Sequence, residues 1–337
     1  MDIPAQAAPS PQPQADASPP RRPRGGAPQS WMVRVADAKY YWYDLLADFA
    51  DKPDIRDPIG RYLRRMEFEL DATAAQRHLF LAVTRPRVRF DIAGALQWGY
   101  ISLKLTLPLL LGAERRKDSI TVELTVPPKA ALKKPTITLT EAFLTLNWGN
   151  LVEVFSVHDL LRTHAPALNL PSQVVYVGQT RDPEGRLGKG RLPAMQQMRA
   201  QFGAEDDTLL LVLGTSVEVQ SAARPAPHPL AADAVQAERV DVIEAALIRY
   251  FAGSQPPGHS SGERRQRSER ITAVQQDKHL VQYTIDLALP ADCGSYNQLG
   301  SELVSAAPRH LLSCFIADGQ AQVASMPLPT VPEAGKS

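Results

Sequence analysis

The chain has 337 residues, 44% apolar and 22% charged, which is long enough to bury sizeable cores and suits two domains better than one. Its 37 basic and 36 acidic side chains nearly cancel, leaving a formal charge of +1. That balance excludes a protein that holds nucleic acid by overall positive charge, so any such binding must come from a local patch.

Eight of the 29 prolines fall within the first thirty residues, among Ala, Gln and Ser. Residues 1–29 therefore read as a disordered tail, too poor in apolar side chains to offset the entropy of ordering. Trp42, Leu45, Leu46 and Phe49 then recur at helical spacing, and Asp57-Pro58 reads as an N-cap followed by proline at the first helical position. The neighbouring run Tyr40, Tyr41, Trp42, Tyr43 suits either an aromatic core or a stacking platform for bases.

From residue 88 the period changes to two. Val88, Phe90 and Ile92 alternate with polar residues, as do Ile101 to Leu107 and Ile120 to Val126, and the polar segment 112–118 predicts a hairpin turn. Residues 30–150 are thus expected to form a β-rich domain, in which no residue pattern carries recognisable chemistry.

The second half predicts a strand at 151–157, a short helix at 159–162, strands at 174–178 and 208–213, and a helix at 193–202 between them. A long helix is expected over 231–252, closed by Gly253. Residues 254–270, with Arg264, Arg265, Arg267 and Arg270, read as an exposed basic loop, a natural contact for phosphates. Strands follow at 282–289 and 310–316 within a segment 271–317, and 318–337 reads as a second tail. The fold class expected is α+β.

The two cysteines, Cys293 and Cys314, lack Cys-x-x-Cys spacing, which argues against a disulfide scaffold or structural zinc and for a reducing compartment. The start is acidic and has no apolar core of a signal peptide, and the most apolar stretch, 101–112, is broken by Lys104 and Pro108. A soluble, cytoplasmic protein without membrane contact is expected. Gly185 to Gly190 imitates a phosphate loop, but Lys189 is followed by Gly190 rather than Ser or Thr. The seven histidines show no metal spacing, and they read as structural or surface groups.

The chemically informative stretch is Val174-Val175-Tyr176-Val177-Gly178, followed ten residues after the tyrosine by Arg186. Residues 171–201 hold five basic and two acidic side chains, a local excess of the kind a phosphodiester attracts. With Glu244 on the later helix, this pattern resembles the GIY-YIG nuclease superfamily. The resemblance implies a small mixed sheet flanked by helices over 151–253, with 271–317 as its C-terminal β extension. It also implies hydrolysis of DNA, or of RNA, with one Mg²⁺ or Mn²⁺. Glu244 would then hold the metal, Arg186 would neutralise phosphoryl charge, Tyr176 would orient or deprotonate the attacking water, and Gly178 would keep a turn uncrowded. Lys189, Arg191, Arg264 and Arg265 would contact the nucleic-acid backbone.

Two parts of the family pattern are missing. There is no tyrosine between Tyr100 and Tyr176, so the first half of the motif is absent, with Phe155 as the nearest aromatic substitute if the first strand is 151–157. The asparagine expected after the glutamate is also missing, and Asn297 lies too far downstream to assign. The alternative function is a catalytically inactive module, binding nucleic acid or another protein, that keeps the fold.

Overall fold

The computed structural model describes residues 27–48, 53–77, 79–99, 103–128, 134–164, 167–179, 196, 199–201, 205–229, 236–254 and 260–328. Strand β1 (Gln29–Trp42) opens the fold with Trp31, Val33 and Val35 buried and Met32 and Arg34 exposed, the alternation of a pleat with one wet face. It leads directly into α1 (Tyr43–Asp48). Helix α2 (Pro58–Arg77) starts where expected, because Asp57 Oδ2 accepts the Gly60 N–H at 3.0 Å and Pro58 needs no donor at the first position. Leu63, Met66 and Leu70 form its buried stripe.

Next come β2 (Leu79–Pro86), β3 (Val88–Phe90), β4 (Gln97–Trp98), β5 (Lys104–Leu111) and β6 (Arg116–Glu123). The last four make a small antiparallel sheet, in which the β5–β6 hairpin turns through 112–115 as its polar composition predicts. Strands β7 (Thr136–Leu139), β8 (Phe143–Asn147) and β9 (Val152–Ser156) form a three-stranded meander that runs into α3 (Val157–His164). The remainder comprises β10 (Ser172–Gln179), β11 (Asp206–Ser221), β12 (Arg224–Pro229), α4 (Gln236–Ala252), α5 (Ser261–Lys278), β13 (Leu280–Ala288), a 3₁₀ segment at Ala291–Asn297, β14 (Leu299–Gly300), β15 (Arg309–Ala317) and β16 (Gln320–Ser325).

The fold is α+β. Nine strands join one mixed sheet among the described residues, in the order β14-β10-β2-β11-β1-β13-β15-β16, with β12 paired to β11. Strand β11 is buried continuously from Asp207 to Leu213, as a central strand must be. The expected separation of 30–150 from 151–253 does not match the strand order. Strand β2 lies between β10 and β11, and β1 lies between β11, antiparallel, and β13, parallel. The large sheet therefore mixes strands from both segments, the sheet of β3 to β6 lies wholly on one side of that boundary, and the β7-β8-β9 sheet straddles it.

Two further expectations are corrected. Most of the basic loop 254–270 is helix: Ser260 and Glu263 form a reciprocal capping box that starts α5. Only Ile271 and Val274 of α5 are fully buried, so apolar periodicity gave no sign of it. The C-terminal tail begins with a strand, because Asp318 and Gly319, with φ of 51° and 67°, turn β16 back onto β15. Residues 1–26 of the tail expected at 1–29 and most of the helix expected at 193–202 lie outside the described residues, while Gln29, the last residue of that tail, opens β1. No helix among the described residues is long and apolar enough to cross a membrane.

Candidate functional site at the junction of β10, α4 and α5

Helix α4 packs against β10, β16 and α5, and this junction collects the polar side chains of all three segments. Tyr176 and Gln179 come from the end of β10, Asp241 and Glu244 stand one turn apart on α4, and Arg267 and Arg270 come from α5. Glu244 is 4% exposed, and its Oε2 accepts from Gln179 Nε2 at 3.0 Å and from Arg267 Nε at 3.3 Å. Asp241 accepts from the same Gln179 amide at 2.6 Å. Arg270 Nε lies 3.1 Å from Asp241 as an ion pair without hydrogen-bond geometry. One amide thus ties two buried carboxylates together while two guanidinium groups balance their charge.

Burial pushes the Glu244 carboxyl above the ordinary carboxylate range; Arg267 pulls it down and neighbouring Asp241 pushes it up again. Tyr176 is pushed up to about 12, first by burial and then by the charges of Glu244 and Glu263, with Arg267 opposing. A phenol held that high keeps its proton at neutral pH, so it can orient a water or a phosphate oxygen but is a poor base.

Tyr176 lies within electrostatic reach of Glu244, whose charge adds to burial in pushing the phenol up. Gly178 is a buried strand residue rather than a turn residue, and its lack of a side chain makes room for rings. A Cβ there would lie 2.5 Å from Tyr176 Cε1 and 2.7 Å from Phe80 Cζ. Phe155 does not stand in for the missing tyrosine: it lies on β9 in the three-stranded sheet, whereas β10 pairs with β2 and β14. The ring beside Tyr176 is Phe80 of β2, with centroids 6.0 Å apart. Asn297 accepts from Tyr40 Oη at 2.8 Å and donates to the Pro290 carbonyl at 2.9 Å, so its polar atoms are engaged apart from Glu244.

Arg186, Lys189 and Arg191 lie outside the described residues. Arg264 and Arg265 are exposed on α5, where Arg265 pairs with Glu269 one turn on at 3.0 Å. Sequence reasoning missed Asp241 and Gln179. Asp241 stands three residues before Glu244, a spacing that shares one helix face, whereas the same spacing on a strand falls on opposite faces of the pleat, so Gln179 carried no such signal.

The donor set fits a hard divalent cation of the Mg²⁺ type, which takes one or two carboxylates and completes its shell with water and phosphate oxygens. Glu244 and Asp241 are two oxygen donors of that kind, and both are engaged by Gln179 and by Arg267 or Arg270. Among the described residues, no group of three or more His, Cys, Asp or Glu side chains is placed to hold a metal by itself. No protein-family model, curated protein or solved structure matches the chain.

Proposed function

We propose that this chain acts on DNA as a divergent, GIY-YIG-like, metal-dependent endonuclease in the cytoplasm, with RNA as the other polymer the same chemistry would accept. The observation that carries this reading is the meeting of Tyr176, Glu244 and Arg267 from three separate elements. Mg²⁺ or Mn²⁺ bound there would polarise the phosphate and stabilise the leaving oxygen. Glu244, supported by Asp241, would hold the ion, and Gln179 would fix both carboxylates in place. The Tyr176 phenol would orient the attacking water. Arg267 and Arg270 would turn from the carboxylates toward phosphoryl oxygens, a role the family resemblance also gives Arg186. Arg264, Arg265, Lys189 and Arg191 would follow the backbone. A reducing cytoplasm suits Cys293 and Cys314, which are both free thiols.

The Arg267–Glu244 pair also favours a second reading, in which the fold binds nucleic acid without turnover because a guanidinium already balances the carboxylate. Nicking of supercoiled plasmid by the full chain with Mg²⁺ or Mn²⁺ decides between the two. The hydrolytic reading expects nicking that falls about a hundredfold or more in Glu244→Gln and less in Tyr176→Phe. Nicking that survives both Arg186→Ala and Glu244→Ala removes the assigned mechanism. Retention of DNA without nicking, weakening steeply with salt, leaves the binding module.

A further inference from the structure

A second recess, sharing no side chain with the Glu244 cluster, opens where β1, α2, β9 and α3 meet. Its volume is about 500 Å³, within the range of sites that enclose a small molecule. Its walls are aromatic. Tyr40 and Tyr296 stand with ring centroids 5.7 Å apart, and Tyr62 and Phe155 line the cleft with them. The ring of Tyr296 is fixed from behind by Arg85, whose guanidinium carbon lies 3.6 Å from the ring centroid. The aromatic run noted in the sequence thus divides: Tyr41, Trp42 and Tyr43 are buried, while Tyr40 remains half-exposed at this cleft.

The charges in the cleft are unequal in their commitments. Asp159 already accepts from Tyr62 Oη at 2.7 Å and from the Ser156 N–H at 2.9 Å, and Glu69 is paired with Arg65. Arg162 lies 5.9 Å from the Tyr40 ring centroid and makes no ion pair with a described residue, and neither does Lys39. Two cations that make no ion pair with a described residue therefore border an aromatic recess. His158, which also lines it and is 4% exposed, uses Nε2 toward Asp207 at 3.0 Å and leaves Nδ1 without a partner. Burial keeps that imidazole neutral, and with Nε2–H committed to the carboxylate, Nδ1 is an acceptor.

We infer that this cleft binds a nucleotide unit, with the base against Tyr40, Tyr62 and Phe155 and the phosphate on Arg162 and Lys39. Aromatic side chains stack any base through its π-face, and a guanidinium matches phosphate oxygens. The same chemistry is offered by a free nucleotide and by a nucleotide swung out of a strand.

Equilibrium dialysis of the full chain at 0.15 M salt tests this, using the four nucleoside monophosphates, the matching nucleosides, inorganic phosphate and a short single-stranded oligonucleotide. The expected result is saturable one-to-one binding of at least one monophosphate. Arg162→Ala and Tyr40→Ala should each weaken it about tenfold or more, whereas Tyr40→Phe should retain it, because the ring and not the hydroxyl does the stacking. The nucleoside should respond to Tyr40→Ala but not to Arg162→Ala. An oligonucleotide that competes assigns the site to a strand-borne nucleotide, and one that does not assigns it to a free one. Absence of saturable binding by every monophosphate and by the oligonucleotide overturns the inference. So does affinity for phosphate alone equal to that for the monophosphate, or indifference to Arg162→Ala. If Tyr40→Ala fails to fold, Arg162→Ala still decides. Glu244→Gln should leave this binding unchanged, so failure at the hydrolytic site and failure here remain distinct.

Discussion

Asp207 and Glu244 are both carboxylates shut away from water, at 0% and 4% exposure, yet their protonation equilibria move in opposite directions. Asp207 accepts from the Val88 N–H at 2.8 Å, from Arg89 Nη1 at 2.8 and 3.0 Å, and from His158 Nε2 at 3.0 Å. Burial alone would push its carboxyl up, but these donors together hold it below the ordinary range. Glu244 has a longer contact to its guanidinium, one amide donor and a second carboxylate nearby, so burial wins and its carboxyl is raised. Burial sets the penalty, and the number of charge-assisted donors decides whether it is overcome. The first arrangement belongs to a carboxylate that holds the fold together. The second belongs to one that keeps its proton more readily than an ordinary carboxyl.

The comparison breaks most visibly at Asp207. Asp207→Asn would leave Arg89 without its counter-charge and disturb two further donors, the Val88 N–H and His158 Nε2, at a cost of about 3–5 kcal/mol read from urea denaturation. A loss well under that would mean the cluster is not structural. Gly178→Ala should come next, at about 1–3 kcal/mol, because a new Cβ would press on Tyr176 and Phe80; a neutral result would show that the rings can move aside. Glu244→Gln keeps the acceptor for Gln179 and Arg267 while removing a charge that burial disfavours, and it should change stability by about 1 kcal/mol or less. If it costs as much as Asp207→Asn, the two carboxylates do not differ in kind.

The smallest expected effect is a slope. Burial holds His158 below its ordinary value of 6.5, so its contribution is complete above that pH and is lost as pH falls and the unfolded chain takes up protons. Glu244 has the opposite sign, since its raised folded value means that the native state gains stability as pH falls. The melting temperature measured between pH 7 and 5 should therefore fall less steeply in His158→Gln than in wild type, and more steeply in Glu244→Gln. Parallel slopes in all three proteins would contradict both assignments.

Strands were readable where one face met water, as in β6 and β15, whose buried residues alternate with more exposed ones, but β1 was not read as a strand although Trp31, Val33 and Val35 alternate with Met32 and Arg34. Their partners were not readable, since nothing in the pattern of β2 shows that it lies between β10 and β11, more than a hundred residues away from the latter. Helix α5 was hidden by its shortage of apolar residues, although Ser260 and Glu263 carried its start in plain view. Strand β16 was announced only by the Asp318-Gly319 dipeptide. At the candidate site, Tyr176 was singled out by Tyr176-Val177-Gly178 with Arg186 ten residues on, and Glu244 by its place on the later helix. Gln179 and Asp241 acquire meaning only once α4 lies on β10, because a hydrogen bond between segments has no sequence signature of its own.

The position of β1 has a further consequence for how the chain is made. This strand is synthesised before its neighbours in the sheet, the antiparallel one ending at Ser221 and the parallel one at Ala288. At ordinary rates of synthesis, roughly ten to fifty seconds separate the appearance of β1 from that of β13. Through that interval Trp31, Val33 and Val35 lack the strand that will cover one side of them, and the edge they form is open to other chains. The last strands synthesised complete a sheet whose middle was made first, so a nascent chain stalled before β13 would aggregate rather than wait as a folded half.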